Sequence, residues 1–191
     1  MNQDRKNERI SKYVVFKGKI LYDTDWYKDE KFFTKDTPRA KWALVSKTLV
    51  PDSTGKNYLQ QTEVIAEYIK NKAFKGGSLP SQYQDAIREY DGQKEAIATL
   101  LSSNWQEAAK RLAALKLNQM TRQTPAESLY DFLVYFQNKD QRLLENMYAW
   151  TSGLTSDGNL VYLGSFDSGG ANVDVWGPDY SDSSIGVVLS R

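Results

Sequence analysis

From Asn57 to about residue 137 the apolar positions recur every three or four residues, whereas beyond Asn146 they recur roughly every second residue. The first spacing belongs to helices with one buried face and the second to strands. Tyr58, Leu59, Thr62, Ile65, Ala66, Ile69 and Ala73 line one side of a predicted helix from Asn57 to Phe74, ended by Gly76-Gly77. A second helix is predicted from Ser81 to about Leu101. Ser81 serves as its N-cap with Gln84 three residues on, and Ile87, Tyr90, Ile97, Leu100 and Leu101 form its buried stripe. Gly92 costs such a helix about 1 kcal/mol and is expected to mark a bend. Asn104 and Glu107 repeat the capping signal ahead of Trp105, Ala108, Ala109, Leu112 and Leu115, a stripe continuing towards Met120. The clearest start is Thr124-Pro125-Ala126-Glu127, with a cap, a proline at the first helical position and a glutamate at the third. It launches Leu129, Phe132, Leu133 and Phe136.

Strand signals lie on either side of these helices. Residues 1–12 are polar and read as a disordered arm. Tyr13 to Tyr22 reads as two short strands around Lys17-Gly18-Lys19. Trp26, Tyr27, Phe32 and Phe33 then anchor an irregular, charged segment, and Trp42 to Val50 reads as a strand stopped by Pro51. In the tail, Met147–Thr151, Leu160–Phe166, Asn172–Trp176 and Ile185–Leu189 are the predicted strands. Ser156-Asp157-Gly158-Asn159, Ser168-Gly169-Gly170 and Gly177-Pro178-Asp179 are the turns between them. Such short connections predict a four-stranded antiparallel meander. The fold class is therefore α+β, a helical portion packed with a small antiparallel sheet. Its parts are the arm 1–12, strands and helices over 13–144, and the sheet over 145–191.

With 191 residues, 40% hydrophobic and 13% aromatic, the chain suits one domain, or one domain with a helical extension. The net charge of +1 is unevenly spread: residues 151–191 hold five Asp against one Arg, or −4, leaving +5 elsewhere. In the helical part acids and bases alternate, as at Arg88-Glu89 and Glu107-Lys110-Arg111, which describes a solvated face. A tail of negative charge repels phosphate, so nucleic acid is not expected as a partner. The first twelve residues contain no apolar core of a secretory signal, and no apolar run approaches the ~20 residues of a membrane span. A cytoplasmic protein with no membrane partner is expected, with a phage particle or surface display as the alternative location.

Candidate chemistry is sparse. The chain has neither Cys nor His, which removes thiolate chemistry and the commonest general base and metal ligand. Ser46-Lys47 are neighbours whose side chains point to opposite faces of a strand. Paired carboxylates would have to come from Asp167, Asp174, Asp179 or Asp182, and isolated Asp residues in turns usually hold the backbone instead. Asp179-Tyr180-Ser181-Asp182 lacks the alternation and terminal Glu of a calcium loop. The tail glycines precede no helix and so form no phosphate cradle. No catalytic residue, metal or cofactor is expected. What remains is surface. Tyr148, Trp150, Tyr162, Phe166, Trp176 and Tyr180 stand among Ser, Gly, Asn and Asp, the mixture of adaptable recognition surfaces. Trp150 and Phe166 are expected in the core, with Trp176 and Tyr180 exposed. The candidate ligand contacts are Leu154, Tyr162, Ser165, Asp167, Asn172, Asp174, Trp176, Asp179, Tyr180 and Asp182.

Two pieces of the tail carry a resemblance. Tyr148-Ala149-Trp150-Thr151-Ser152 and Ile185-Gly186-Val187-Val188-Leu189-Ser190-Arg191 bracket a stretch rich in Gly, Ser, Asp and Asn. This resembles the end of the C-type-lectin-like fold of variable proteins from diversity-generating retroelements. The resemblance implies a ligand-facing region within Gly153 to Ser184 whose codons are replaced while the fold persists. It covers only the C-terminal quarter. No Glu-Pro-Asn or Gln-Pro-Asp triplet is present, so the calcium-dependent sugar site of animal lectins does not carry over. The cysteines of related formylglycine-generating enzymes are missing too. The expected function is non-enzymatic binding of a protein or glycan ligand. The alternatives are a phage or cell-surface assembly and adhesion subunit, or a carbohydrate-active enzyme using paired Asp.

Overall fold

The computed structural model describes residues 18–38 and 42–190, so the predicted arm and Tyr13 to Lys17 of the first strand pair lie outside the described residues. The fold is α+β. A helical turn α1 (Lys31–Thr34) precedes α2 (Tyr58–Tyr68), which runs on into a π-helical turn at Ile69–Ala73. Then come α3 (Ser81–Ser103), α4 (Trp105–Ala114), α5 (Lys116–Thr121) and α6 (Pro125–Lys139). The strands are β1 (Tyr148–Leu154), β2 (Leu160–Asp167), β3 (Gly170–Trp176) and β4 (Ile185–Gly186).

Capping places several of the helix starts. Thr124 and Glu127 form the full reciprocal box expected of them, and Asn104 caps Glu107. Asn57 and Gln60 form a second box that begins α2. At α3 the expectation fails. Pro80 is the cap residue, no side chain caps the helix, and Gln84 Nε2 donates to Leu79 O at 2.6 Å instead. The predicted bend at Gly92 is also absent, since α3 runs through it unbroken and nothing lies within 4 Å of where a Cβ would stand. The stripe after Trp105 divides at Leu115, whose ψ of 130° ends α4, and Asn118 Nδ2 and Gln119 Nε2 then cap the freed carbonyls of Leu112 and Ala113.

The sheet is mixed, ordered β3-β2-β1-β4, and not an antiparallel meander. β1, β2 and β3 are antiparallel neighbours, but β4 lies parallel to β1 with Tyr148 opposite Ile185. The 177–184 connection is therefore a crossover from one edge of the sheet to the other. Tyr58 N donates to Pro178 O and Gly55 N to Asp182 O, tying the crossover to the start of α2. After Gly186 the chain leaves the ladder. Val50 N and Ser46 N donate to the carbonyls of Val187 and Leu189, and Val45 makes an antiparallel bridge with Ser190. The predicted strand from Trp42 to Val50 is reduced to this bridged segment. Of the N-terminal strand pair, a bridge between Leu21 and Ala171 is what the described residues retain.

Side chains alternate across the sheet, giving it two packed faces. Trp150, Leu160, Tyr162 and Ile185 pack with the helices α2 to α5 in the larger core. Val161, Leu163, Phe166, Val173 and Val175 pack with Phe132 of α6 and with Tyr27 and Phe32 in the smaller one. Close approaches fix this arrangement. A Cβ on Gly153 would stand 2.6 Å from Pro125 Cγ, and one on Gly164 would stand 2.0 Å from Met147 O. α6 thus seats its first residue directly on β1. Trp150 and Phe166 are both buried, as their positions in the pattern imply.

Candidate functional site

The helical layer covers β1 and β2 and leaves part of β3 open. Along β3 the residues Asn172, Asp174 and Trp176 stand opposite Gly164, Tyr162 and Leu160, on the same face as the larger core. Leu160 is fully covered, whereas Trp176, at the open edge, is 51% exposed. Tyr180 comes from the crossover and stacks on the Trp176 indole, with centroids 4.8 Å apart and planes at 22°. The turn from Gly177 to Tyr180 (amide to carbonyl 3.1 Å) delivers that ring. Beneath them Tyr162 is 6% exposed, edge-on to Trp150 at 4.9 Å and to Tyr148 at 5.4 Å. Tyr180 itself packs against the larger core, so an aromatic slope runs from that core to the solvent.

Carboxylates flank this slope. Asp182 Oδ1 accepts from Ser184 N at 2.7 Å and Ser184 Oγ at 2.6 Å, and these two bonds hold its pKa below the ordinary carboxylate range. Burial raises the Tyr180 hydroxyl, and the neighbouring charge of Asp182 adds to the effect. Tyr162 is raised further, by burial first and then by the charge of Asp174. Asp174 Oδ1 also accepts from Val175 N at 2.8 Å, which orients it. The ion pairs among the described residues all lie on the helices, and none reaches Asp174, Asp179 or Asp182. Nor do any three acidic side chains there group as a metal site would require.

The structure thus gathers Tyr162, Asp174, Trp176, Tyr180 and Asp182 into one patch, with Asn172 further along the same face. Asp179 is exposed on the adjoining turn, its carboxylate beside Gly177. Three candidates fall elsewhere. Leu154 is half-buried and packs against the larger core. Ser165 sits in the bulge of β2 with φ 44°, and Asp167 closes the β2–β3 turn by accepting from Gly169 N at 2.6 Å. Both lie at the opposite end of the hairpin from Trp176. Tyr148 belongs to the slope although it was not among the candidates. Its ring contact depends on the β1–β2 register, which the hydrophobic pattern alone does not specify.

An apolar cleft of about 280 Å³ lies on the other side of the sheet, lined by Leu21, Tyr27, Phe33, Leu129, Tyr130 and Leu133 among others. The cluster Trp26, Tyr27, Phe32 and Phe33 signalled an anchoring segment there but not a cleft. Among the described residues no helix is long and apolar enough to cross a membrane. No protein-family profile matches the chain, and no curated protein or solved structure matches it either.

Proposed function

We propose that this chain is a non-enzymatic binding protein whose recognition surface is the open end of β3 together with the crossover. The observation that carries this reading is the Trp176–Tyr180 stack, with Trp176 half in solvent, flanked by oriented carboxylates that have no ion-pair partner among the described residues. Aromatic anchors beside polar groups dominate the energetics of recognition surfaces, and here they stand on a backbone held by the sheet and by α2. The ligand in this reading is a protein or a glycan.

The resemblance to retroelement variable proteins fits the same surface. Tyr148–Ser152 lies within β1, inside the sheet, and Ile185–Ser190 closes against it and against residues 45–50. Within 153–184, Leu160, Val161, Leu163 and Phe166 are core, so diversification compatible with folding falls on residues 172, 174, 176 and 179–183. A near-duplicate of the 3′ coding region beside a reverse transcriptase gene would be the genomic mark of that class.

The deciding experiment replaces Asp174, Trp176, Asp179 and Tyr180 together by Asn, Ala, Asn and Ala. Capture on protein and glycan arrays should be lost while the melting temperature moves by only a few degrees. Unfolding of this variant, or capture that survives it, overturns the reading. An assembly role has one observation in its favour, the exposed Tyr22, Trp26, Phe33, Leu44 and Tyr130 away from the patch. Sedimentation of a stable oligomer would support it.

A further inference from the structure

We infer that the Trp176–Tyr180 patch takes an arginine side chain presented by a protein partner. This rests on the binding reading above and names the chemistry of its ligand. Aromatic faces attract cations through the negative potential over the ring, Trp most strongly, and a planar guanidinium can lie flat on an indole while its N–H groups reach carboxylates. Trp176 offers such a face to solvent, since Tyr180 backs one part of the ring system and half of the residue stays open.

The same pairing occurs inside the fold. Arg122 lies 3.9 Å from the Tyr58 centroid, and Arg142 lies 4.3 Å and 4.7 Å from those of Phe136 and Phe166. The described cation–aromatic contacts leave the Trp176–Tyr180 stack without a resident cation. Charge complementarity selects the partner. No Lys or Arg occurs between Arg142 and Arg191, while Asp174 and Asp182 act on the Tyr180 hydroxyl and Asp179 is exposed beside Gly177. Asp174 and Asp182 are each oriented by a backbone amide, so little ordering remains to be done on binding. Anionic ligands are repelled here. A neutral sugar could stack on the indole but would leave two carboxylate charges uncompensated.

The test uses the whole chain with its Trp indoles labelled for NMR and Trp176 assigned through W176F. The probes are an acetylated, amidated Gly-Arg-Gly-Arg-Gly peptide, its Glu counterpart and a neutral tetraglucoside. The Arg peptide should move the Trp176 indole signal saturably, the Glu peptide should not, and the D174N/D182N variant should weaken the effect at least about tenfold. Equal binding by that variant overturns the inference. Movement by the sugar but not by the Arg peptide overturns it too, yet leaves the patch as a binding site. If no probe moves the signal, the inference falls, and the array experiment decides separately whether the patch binds anything.

Discussion

The Arg122 guanidinium lies over the Tyr58 ring at 3.9 Å, 3% exposed and outside every described ion pair. Burial lowers its pKa, and the neighbouring Tyr58 works against that. Neutral acceptors supply what a carboxylate would: Asn118 Oδ1 at 3.1 Å, Gln61 Oε1 at 3.4 Å and Tyr58 O at 3.4 Å. Tyr58 in turn donates to Thr151 O at 2.9 Å and Gln61 to Ile185 O at 3.1 Å, so one polar seam joins α2, α5, β1 and β4. Arg122→Ala should cost about 3 kcal/mol in urea unfolding, since it opens a cavity and strips those acceptors. Arg122→Met, which fills the space and needs no hydration, should cost clearly less. Equal losses would show that packing volume does not matter here.

Two glycines should respond oppositely to alanine. At Gly164 the added Cβ would meet Met147 O at 2.0 Å and Tyr148 Cα at 2.6 Å, so β1 and β2 must separate. Gly164→Ala should cost more than about 2 kcal/mol and shift the Tyr148 and Tyr162 ring signals. Gly92→Ala, inside α3 with open space around it, should stabilise by up to about 1 kcal/mol. Chemical denaturation of both variants reads the contrast.

Alkali should unfold the protein cooperatively. Burial raises the hydroxyls of Tyr58, Tyr90 and Tyr162 well above their ordinary value, and Tyr27 is pushed up to about 12, by burial first and then by Asp23. An unfolded chain ionises its tyrosines near pH 10. The stability these groups confer is thus fully present below about pH 10 and is lost as pH rises towards the folded values. Ultraviolet titration should show Tyr27, Tyr58, Tyr90 and Tyr162 ionising only together with loss of near-ultraviolet circular dichroism. Smooth ionisation of all tyrosines in a folded protein would contradict this.

Cap substitutions should sort by geometry. Thr124→Ala and Asn57→Ala each remove a bond to the third helical amide and should cost about 1 kcal/mol apiece. Ser81→Ala should be nearly neutral, because its side chain caps nothing. Thermal melts of the three variants suffice.

The helical part was legible because local chemistry decides it. Thr124-Pro125-Ala126-Glu127 starts its helix in any surroundings, and the stripe from Leu129 to Phe136 has one face to bury. Ser81-Gln84 misled because Pro80 already sets the entry to α3, leaving no vacancy for the Ser81 side chain. The break at Leu115 was hidden because its neighbours on both sides belong to the same apolar stripe. In the tail, alternation located β1, β2 and β3, but buried Trp150 and exposed Trp176 share one face and differ only in how far the helices cover it. It could not reveal that 177–184 is a crossover, since a hairpin turn and a crossover of that length share one composition. That topology brings Tyr180 and Asp182 to the patch, whereas Ser165 and Asp167 lie at the far end of the hairpin despite their similar residue types. Distance along a strand, not chemistry, removed them.

The parallel pairing of β1 with β4 also governs the order of events during synthesis. A strand in the middle of the sheet acquires its second neighbour only after Ile185 has emerged from the ribosome, and Val45 meets Ser190 later still. Until then the core around Trp150 lacks Ile185, Val187 and Leu189. Contacts this distant in sequence make for slow closure. Helix content should therefore appear early in refolding, with burial of Trp150 trailing behind as a separate, slower phase.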